Sequence, residues 1–407
     1  MDRSAVHRDV VTFNAVMSAC ENLGEWQVAL HLLNLMESIA LHPDAISYNA
    51  CLSSCEKGHQ WQVALSLLQR SLRDLISYNA VISACANSGE WRLALSLLDD
   101  VAQQVLPNSI SFSAAISACE KAWQWQAACS LLSEMENSAV EINVISCNAA
   151  LSACEKCGEW QHALDLLTQL PARGLVPDGI TYNAALSACD KGKQWQLALH
   201  VMAVLEQSRL AADDISCNAA ISACAKGDQW QRALAIFSDF ESKRFQRDLI
   251  TFNAAMSAMA RGGQWRRALA LLEAMPQEML EPDQISFNAA LDACCKGQGF
   301  QLEADGRHVK GAWESASCLL TMLQASGFQG TVITVNTALL ACTKAQQWKL
   351  AVELGQTASN AGNAISRSVV SNACRVAGQM SLLREVLGQL EEDGLQANLY
   401  LAGDHPR

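Results

Sequence analysis

The sequence is short of charge. Only 17% of its residues are Asp, Glu, Lys or Arg and 50% are apolar, so the chain can bury a continuous core and is not disordered. It has no basic excess either. The net charge of −12 argues against loose attraction to nucleic acid. No run of 18 or more apolar residues occurs, which leaves no helical membrane span and no membrane partner. Residues 1–9 hold no apolar stretch, so no signal or transit peptide is visible; import would use another signal, or the chain is a piece of a longer one. There is no His-Glu-x-x-His, no phosphate-binding glycine loop and no nucleophile elbow. The eight histidines share no common position. These absences point away from an enzyme: no catalytic residue, no metal, no cofactor and no small-molecule substrate is implied.

What is present is a repeat. A string close to Ile-Ser-Tyr-Asn-Ala-x-(Ile/Leu)-Ser-Ala-Cys returns about every 35 residues, with its Asn at 14, 49, 79, 148, 183, 218, 253, 288 and 336 and Ser113 or Ser368 in the same slot of two further copies. A tryptophan follows twelve residues later at Trp26, Trp61, Trp91, Trp125, Trp160, Trp195, Trp230, Trp265 and Trp348. Such a period signifies stacked repeats. Function is then to be sought in a row of equivalent residues rather than in one pocket.

Cutting before each anchor gives eleven units: 10–44, 45–74, 75–108, 109–143, 144–178, 179–213, 214–248, 249–283, 284–331, 332–363 and 364–398. Residues 1–9 form an N-terminal stub and 399–407 a tail. The ninth unit carries an inserted loop, 298–310. Each unit reads as two helices. In one of them, Asp178 suits an N-cap, apolar residues from Ile180 to Cys189 follow helical spacing, and Gly192 ends the helix. A second helix then starts near Gln194. One hairpin cannot bury its apolar face alone, so the expected fold is all-α: a right-handed superhelical solenoid of stacked antiparallel hairpins.

Ten of the seventeen cysteines share one slot: Cys20, Cys55, Cys85, Cys119, Cys154, Cys189, Cys224, Cys294, Cys342 and Cys374, with Met259 in the remaining copy. A slot open to Cys or Met is a packing position. Equivalent atoms of stacked helices lie roughly 10 Å apart, beyond the roughly 7 Å Cα separation a disulfide tolerates. They read as reduced core thiols of an intracellular protein. Cys154 and Cys157 form a Cys-x-x-Cys, but one member is the packing cysteine and the other replaces a small turn residue. The tryptophans share a face with the mid-helix alanines and read as core.

Four further slots recur. The Asn/Ser slot carries a poor helix former, roughly 0.6 kcal/mol worse than alanine. It either bridges neighbouring units or reads a base edge, since an amide both donates and accepts. The last residue of each unit is Asp44, Asp74, Asn108, Asn143, Asp178, Asp213, Asp248, Asp283, Thr331, Asn363 or Asn398, all suited to cap the next helix. An aliphatic slot holds Val11, Ile46, Ile76, Ile110, Ile145, Ile180, Ile215, Ile250, Ile285, Ile333 and Ile365. It is either core packing or an exposed apolar contact. A basic slot holds Lys57, Lys121, Lys156, Lys191, Lys226, Arg261, Lys296 and Lys344. There a cation either meets a helix C-terminus or a phosphate.

The pattern aliphatic-(Ser/Thr)-(Tyr/Phe)-Asn-Ala, a Lys-Gly about eight residues on, a mid-helix alanine (Ala29, Ala64, Ala163, Ala233) and a closing Pro-Asp such as Pro282-Asp283 resembles the pentatricopeptide repeat proteins over residues 10–398. The Gln-Trp-Gln opening of the second helix is similar to dinoflagellate members. Tetratricopeptide repeats, the nearest rival, lack the Asn and the terminal Asp. The resemblance implies single-stranded RNA as partner, one nucleotide per unit, in a chloroplast or mitochondrion, for RNA processing, stabilisation or translation, with protein partners supplying any catalysis. It implies base reading by Asn14, Asn49, Asn79, Ser113, Asn148, Asn183, Asn218, Asn253, Asn288, Asn336 and Ser368 with the unit-terminal residues. It further implies base sandwiching by the aliphatic slot. The implied site resembles U-U-Y-A-U-U-U-U-N-Y-A, which is uracil-rich. Some plant members end in a zinc deaminase with His-x-Glu and Pro-Cys-x-x-Cys, a pattern not found here. The alternative reading is a helical-repeat protein-interaction scaffold without RNA.

Overall fold

The computed structural model describes residues 9–71, 73–208, 210, 212–243, 247–297, 312–325, 332–344, 347, 349–351 and 364–376. Among these, every regular element is helical. The helices are α1 (Val10–Leu23), α2 (Trp26–Ser38), α3 (Ala45–Lys57), α4 (Trp61–Arg70), α5 (Leu75–Asn87), α6 (Trp91–Gln104), α7 (Ser109–Lys121), α8 (Trp125–Asn137), α9 (Val144–Cys157), α10 (Trp160–Ala172), α11 (Gly179–Lys191) and α12 (Trp195–Gln207). They continue with α13 (Asp214–Lys226), α14 (Trp230–Lys243), α15 (Leu249–Arg261), α16 (Trp265–Ala274), α17 (Gln284–Lys296), α18 (Ala312–Ala325), α19 (Val332–Lys344) and α20 (Ala364–Val376). The stub before residue 9, the insertion 298–310, Thr331, Asn363, Asn398 and the tail 399–407 lie outside the described residues.

The chain forms two compact units, Met1–Gly192 with Ala203–Ala211, and Lys193–Met202 with Ala212–Arg407. In the first, each odd-numbered helix from α1 to α9 packs on the even helix that follows it and on the next odd helix. In the second, α13, α15, α17 and α19 stack in the same manner, and α20 packs on α19. This is the all-α hairpin stack expected from the 35-residue period.

Each odd helix from α1 to α17 starts for a local reason. The Asp or Asn before it sits in extended backbone and accepts the N–H three residues on, as Asp178 does from Thr181 at 2.9 Å. That satisfies one of the four donors a helix start leaves open.

The turn into the even helix follows one rule. The residue two before the Trp that opens the helix is left-handed: Gly24, Gly89, Gly158 and Gly263, but also His59, Trp123, Lys193 and Asp228. Gly192 itself has φ −75°, so chain reversal does not require its glycine. Its reason is packing. A Cβ at Gly192 would stand 2.3 Å from the Trp160 ring, and one at Gly227 or Gly262 would stand 2.1 or 2.3 Å from Trp195 or Trp230. The tryptophans therefore depart from the expected core position: among the described side chains they are half-buried and seat on the turn of the next repeat. A cation or ring from that repeat covers several of them. Arg232 lies 4.4 Å over Trp195, Arg267 4.5 Å over Trp230, and the His162 ring 4.4 Å from Trp125.

The mid-helix alanines Ala29, Ala64, Ala94, Ala128, Ala163 and Ala233 are fully buried, so even helices approach the odd ones closely. The ten slot cysteines are buried and free, and Met259 is buried in the same role. Burial pushes the Cys55, Cys85, Cys119, Cys189 and Cys224 thiols up to about 11, and Cys294 up to about 12. They remain thiols at neutral pH, consistent with packing. The Cys-x-x-Cys splits. The Cys154 thiol faces Cys129 at 3.8 Å, while Cys157 donates to the Trp123 carbonyl at 3.1 Å.

Candidate nucleic-acid interface

The aliphatic slot is the second residue of each odd helix. From Val11 to Ile285 its side chains are 60–72% exposed. Core packing, one of the two readings of this slot, is thereby removed. Leaving an isoleucine unburied forgoes roughly 1.5–3 kcal/mol of hydrophobic stabilisation. A scattered exposed aliphatic residue is ordinary; nine at one helix position form a pattern. The side chains of Ile333 and Ile365 lie outside the described residues.

The Asn slot, three positions on, is half-buried, and in five repeats its amide bonds to the residue that closes its own unit. Asn14 donates through Nδ2 to both Asp44 carboxylate oxygens at 3.1 and 3.3 Å. Asn148 does so to Asp178 at 3.1 and 3.3 Å, and Asn253 to Asp283 at 3.2 and 3.4 Å. Asn49 reaches Asp74 at 3.3 Å and Asn79 reaches Asn108 at 3.4 Å. The amide of one unit and the closing residue of that unit thus form one polar pair. Ser113 differs: its buried hydroxyl oxygen has no hydrogen-bond partner. Asn183, Asn336 and Ser368 also have partners, and the Asn288 Oδ1 is buried without one. Asn143, Asp213 and Asp248 cap α9, α13 and α15.

The carboxylates are held ionised. Burial raises Asp44, Asp74 and Asp178, but the backbone N–H and hydroxyl of the next helix and the Asn amide outweigh it. Their carboxyls stay below the ordinary range.

The basic slot ends the same helices. Lys57, Lys121, Lys191, Arg261 and Lys296 are exposed and Lys156 and Lys226 half-buried, while the Lys344 side chain lies outside the described residues. Several are paired. Lys156 meets Glu120 at 3.0 Å and Lys191 meets Glu155 at 3.1 Å, while Lys121 donates to Asn87 Oδ1 at 2.7 Å.

In the second unit the slots converge on a groove of about 830 Å³ along α13, α15 and α17. Its lining includes the amides Asn218 and Asn253, the aliphatic Ile250 and Ile285, and the cations Lys226, Arg261 and Lys296, over a floor of Ser222, Ala254, Ser257 and Ala289. Asp228 and Asp292 also line it, beside Arg261 and Lys296. A partly apolar ligand carrying spaced anions would meet the isoleucines and cations and would compete with those two carboxylates. Among the described residues no helix is long and apolar enough to cross a membrane, and no group of three or more His, Cys, Asp or Glu could hold a metal.

Two features escaped the sequence reading. One is the buried hydroxyl at the third position of the odd helices from α3 to α19. Its signal was the recurrent Ser or Thr before the aromatic residue. The other is the Trp-to-Gly seat, visible only as a constant separation between two residues with no stated relation.

Comparison with known proteins agrees with this architecture. The PPR repeat family profile matches residues 8–57, 142–191 and 247–296, the pentatricopeptide repeat domain profile matches 72–121, and the PPR repeat profile matches 110–140 and 215–245. Together these span more than half of the chain. None of the curated protein sequences matches it. Among solved structures, the maize pentatricopeptide repeat protein PPR10 is similar at 17% identity over 97% of this chain and 70% of that one, with a TM-score of 0.50. The same maize protein in complex with an 18-nt psaJ RNA element matches at 20% identity over 95% and 59%, TM-score 0.46. The PPR domain of Arabidopsis thaliana protein-only RNase P 1 in complex with tRNA matches at 15% over 42% and 90%, TM-score 0.38. With the repeat period, the hairpin stack and these profiles in agreement, the chain belongs to the pentatricopeptide repeat family.

Proposed function

We propose that this protein binds single-stranded RNA along its odd helices, one nucleotide per repeat, without being an enzyme itself. The observation that supports this reading is the second-unit groove, where amide, aliphatic and cationic slots face one space. Exposed Ile250 and Ile285 suit the two faces of a base, which every base offers. The Asn amides and their Asp partners carry hydrogen-bond choice, and Lys226, Arg261 and Lys296 carry phosphate attraction. An apolar peptide would suit the isoleucines alone. The cations beside them favour a nucleic-acid ligand over the scaffold reading. The global charge of −12 then lowers indiscriminate binding while the groove keeps its local cations. The pairing of slots favours a uracil-rich site. The role follows in organellar RNA processing, stabilisation or translation, with protein partners supplying chemistry.

Selection from randomised RNA followed by sequencing tests the reading. Uracil-rich sites should be enriched, and Asn148→Ala with Asn253→Ala should lose enrichment at two positions. Equal binding of all sequences, or none of any, would overturn it.

A further inference from the structure

Among the described residues, the buried polar side chains are nearly all one residue: the Ser or Thr at the third position of the odd helices, 0–2% exposed from Ser47 to Thr334. A buried hydroxyl costs about 1–3 kcal/mol unless bonded. Here it bonds backwards, to the Asn of the preceding repeat. Ser47 donates to Asn14 Oδ1 at 2.6 Å, Ser77 to Asn49 at 2.7 Å, Ser111 to Asn79 at 2.6 Å, Thr181 to Asn148 at 2.7 Å and Ser286 to Asn253 at 2.7 Å.

The direction of the amide is chemically forced. A carboxylate only accepts, so the Nδ2 end of the amide must face the Asp. The hydroxyl itself accepts the N–H of the capping residue, at 3.3 Å for Asp44 and Ser47 and 3.1 Å for Asp178 and Thr181. Its one proton lies between two acceptors, the amide oxygen and the capping carboxylate, the latter 2.9 Å from the Ser47 hydroxyl and 2.7 Å from that of Thr181. Cap N–H, hydroxyl, amide and carboxylate close one ring in which the amide keeps a single polarity. Where the preceding slot is Ser113, the hydroxyl of Ser146 turns to the Asn143 carbonyl at 2.9 Å. At Asn218 the ring is open: Thr251 donates to Asp248 at 2.6 Å, and the Asn218 Oδ1 is buried without a partner.

We infer that the third-position hydroxyl is a positioning residue for base selection: it locks the donor and acceptor ends of the preceding repeat's amide. The inference rests on the RNA reading above. An amide fixed in polarity offers one hydrogen-bond pattern to a base. An amide free to rotate offers two and discriminates less. Asn148 and Asn253 are therefore selective positions and Asn218 a permissive one.

The test is equilibrium binding of the full chain to RNAs varied at single positions of its selected site. Thr181→Val should lower discrimination between uracil and cytosine at the Asn148 nucleotide roughly three- to tenfold, the worth of one hydrogen bond. Affinity for a permissive base should hardly change. Thr181→Ser should restore discrimination, and Thr251→Val should leave it unaltered at the Asn218 nucleotide. Slower side-chain amide exchange at Asn148 than at Asn218 in free protein would support the lock independently. If wild-type protein selects bases and Thr181→Val selects them equally well, the positioning role falls alone. If Thr181→Val weakens all RNAs alike, the hydroxyl is merely structural and the inference falls too. If wild-type protein binds no RNA, the RNA reading fails first and this one with it.

Discussion

The two compact units use the basic slot differently. In the first, Lys156 and Lys191 each reach back 36 residues to an acidic side chain, Glu120 or Glu155, on the preceding repeat. In the second, the residues 36 before Arg261 and Lys296 are Ala225 and Ala260, and both line the groove. Arg261 then lies 3.8 Å from exposed Asp228, and Lys296 folds onto Asp292 of its own helix at 2.6 Å. The first-unit pairs are more buried: Lys156 and Glu120 are 32% and 22% exposed, against 43% and 73% for Arg261 and Asp228. One alanine for glutamate therefore decides whether a cation fastens two repeats or stays available to a ligand. Such exposed pairs are worth only about 0–1 kcal/mol, small enough for a phosphate to displace in the second unit.

The most direct way to break the contrast is to remove the second-unit cations. Lys226→Ala, Arg261→Ala and Lys296→Ala together should lower RNA affinity by about a hundredfold. They should also flatten the log affinity against log salt plot by roughly 2, three phosphates at about 0.7 each. Lys156→Ala with Lys191→Ala should cost RNA binding far less. Binding titrations from low to high salt report both. Next in size, Ala225→Glu with Ala260→Glu converts the second unit to the first unit's pattern. RNA affinity should drop about tenfold while the fold is kept, measured by the same titration beside circular dichroism.

The seams between repeats sharpen the comparison. That position is glycine at Gly227, Gly262 and Gly297 in the second unit and at Gly58 and Gly192 in the first, but it is Ser88, Ala122 and Cys157 in three first-unit repeats and Ala345 in the second. Gly227→Val should destabilise by about 1–3 kcal/mol through overpacking on Trp195, read as a lower urea midpoint. His59, left-handed at φ 56°, should accept glycine with a gain of up to about 1 kcal/mol.

The smallest effect is a pH dependence at three caps of the first unit. Asp44, Asp74 and Asp178 have carboxyls held below their ordinary value in the folded chain. Their contribution is complete above the unfolded carboxyl pKa of about 3.9 and is lost as pH falls through the lower folded value. Urea midpoints should decline on acidification below about pH 4. Asp178→Asn should flatten the decline.

Much of this was legible in the chain itself. The period, the helix starts after Asp and Asn, and the shared cysteine slot follow from local propensity and spacing, which act within one repeat. The aliphatic row was ambiguous because an isoleucine near a helix start looks alike whether it faces a neighbour or solvent. The tryptophans misled for a related reason: their face within one hairpin suggested a core, but their partner is the turn of the next. The cations could not be sorted into those that fasten neighbouring repeats and those that pair elsewhere without knowing which side chain lies 36 residues away.

Sequence alone determined the repeat, its two helices and the polar residues at each helix start, because those depend on backbone capping and apolar periodicity over a few residues. Only the tertiary structure decided which groups share a groove, which amides are locked by a hydroxyl and which cations are already paired. Those outcomes depend on distances across a repeat boundary, and a separation of 30 or more positions along the chain says nothing of distance until the helices pack.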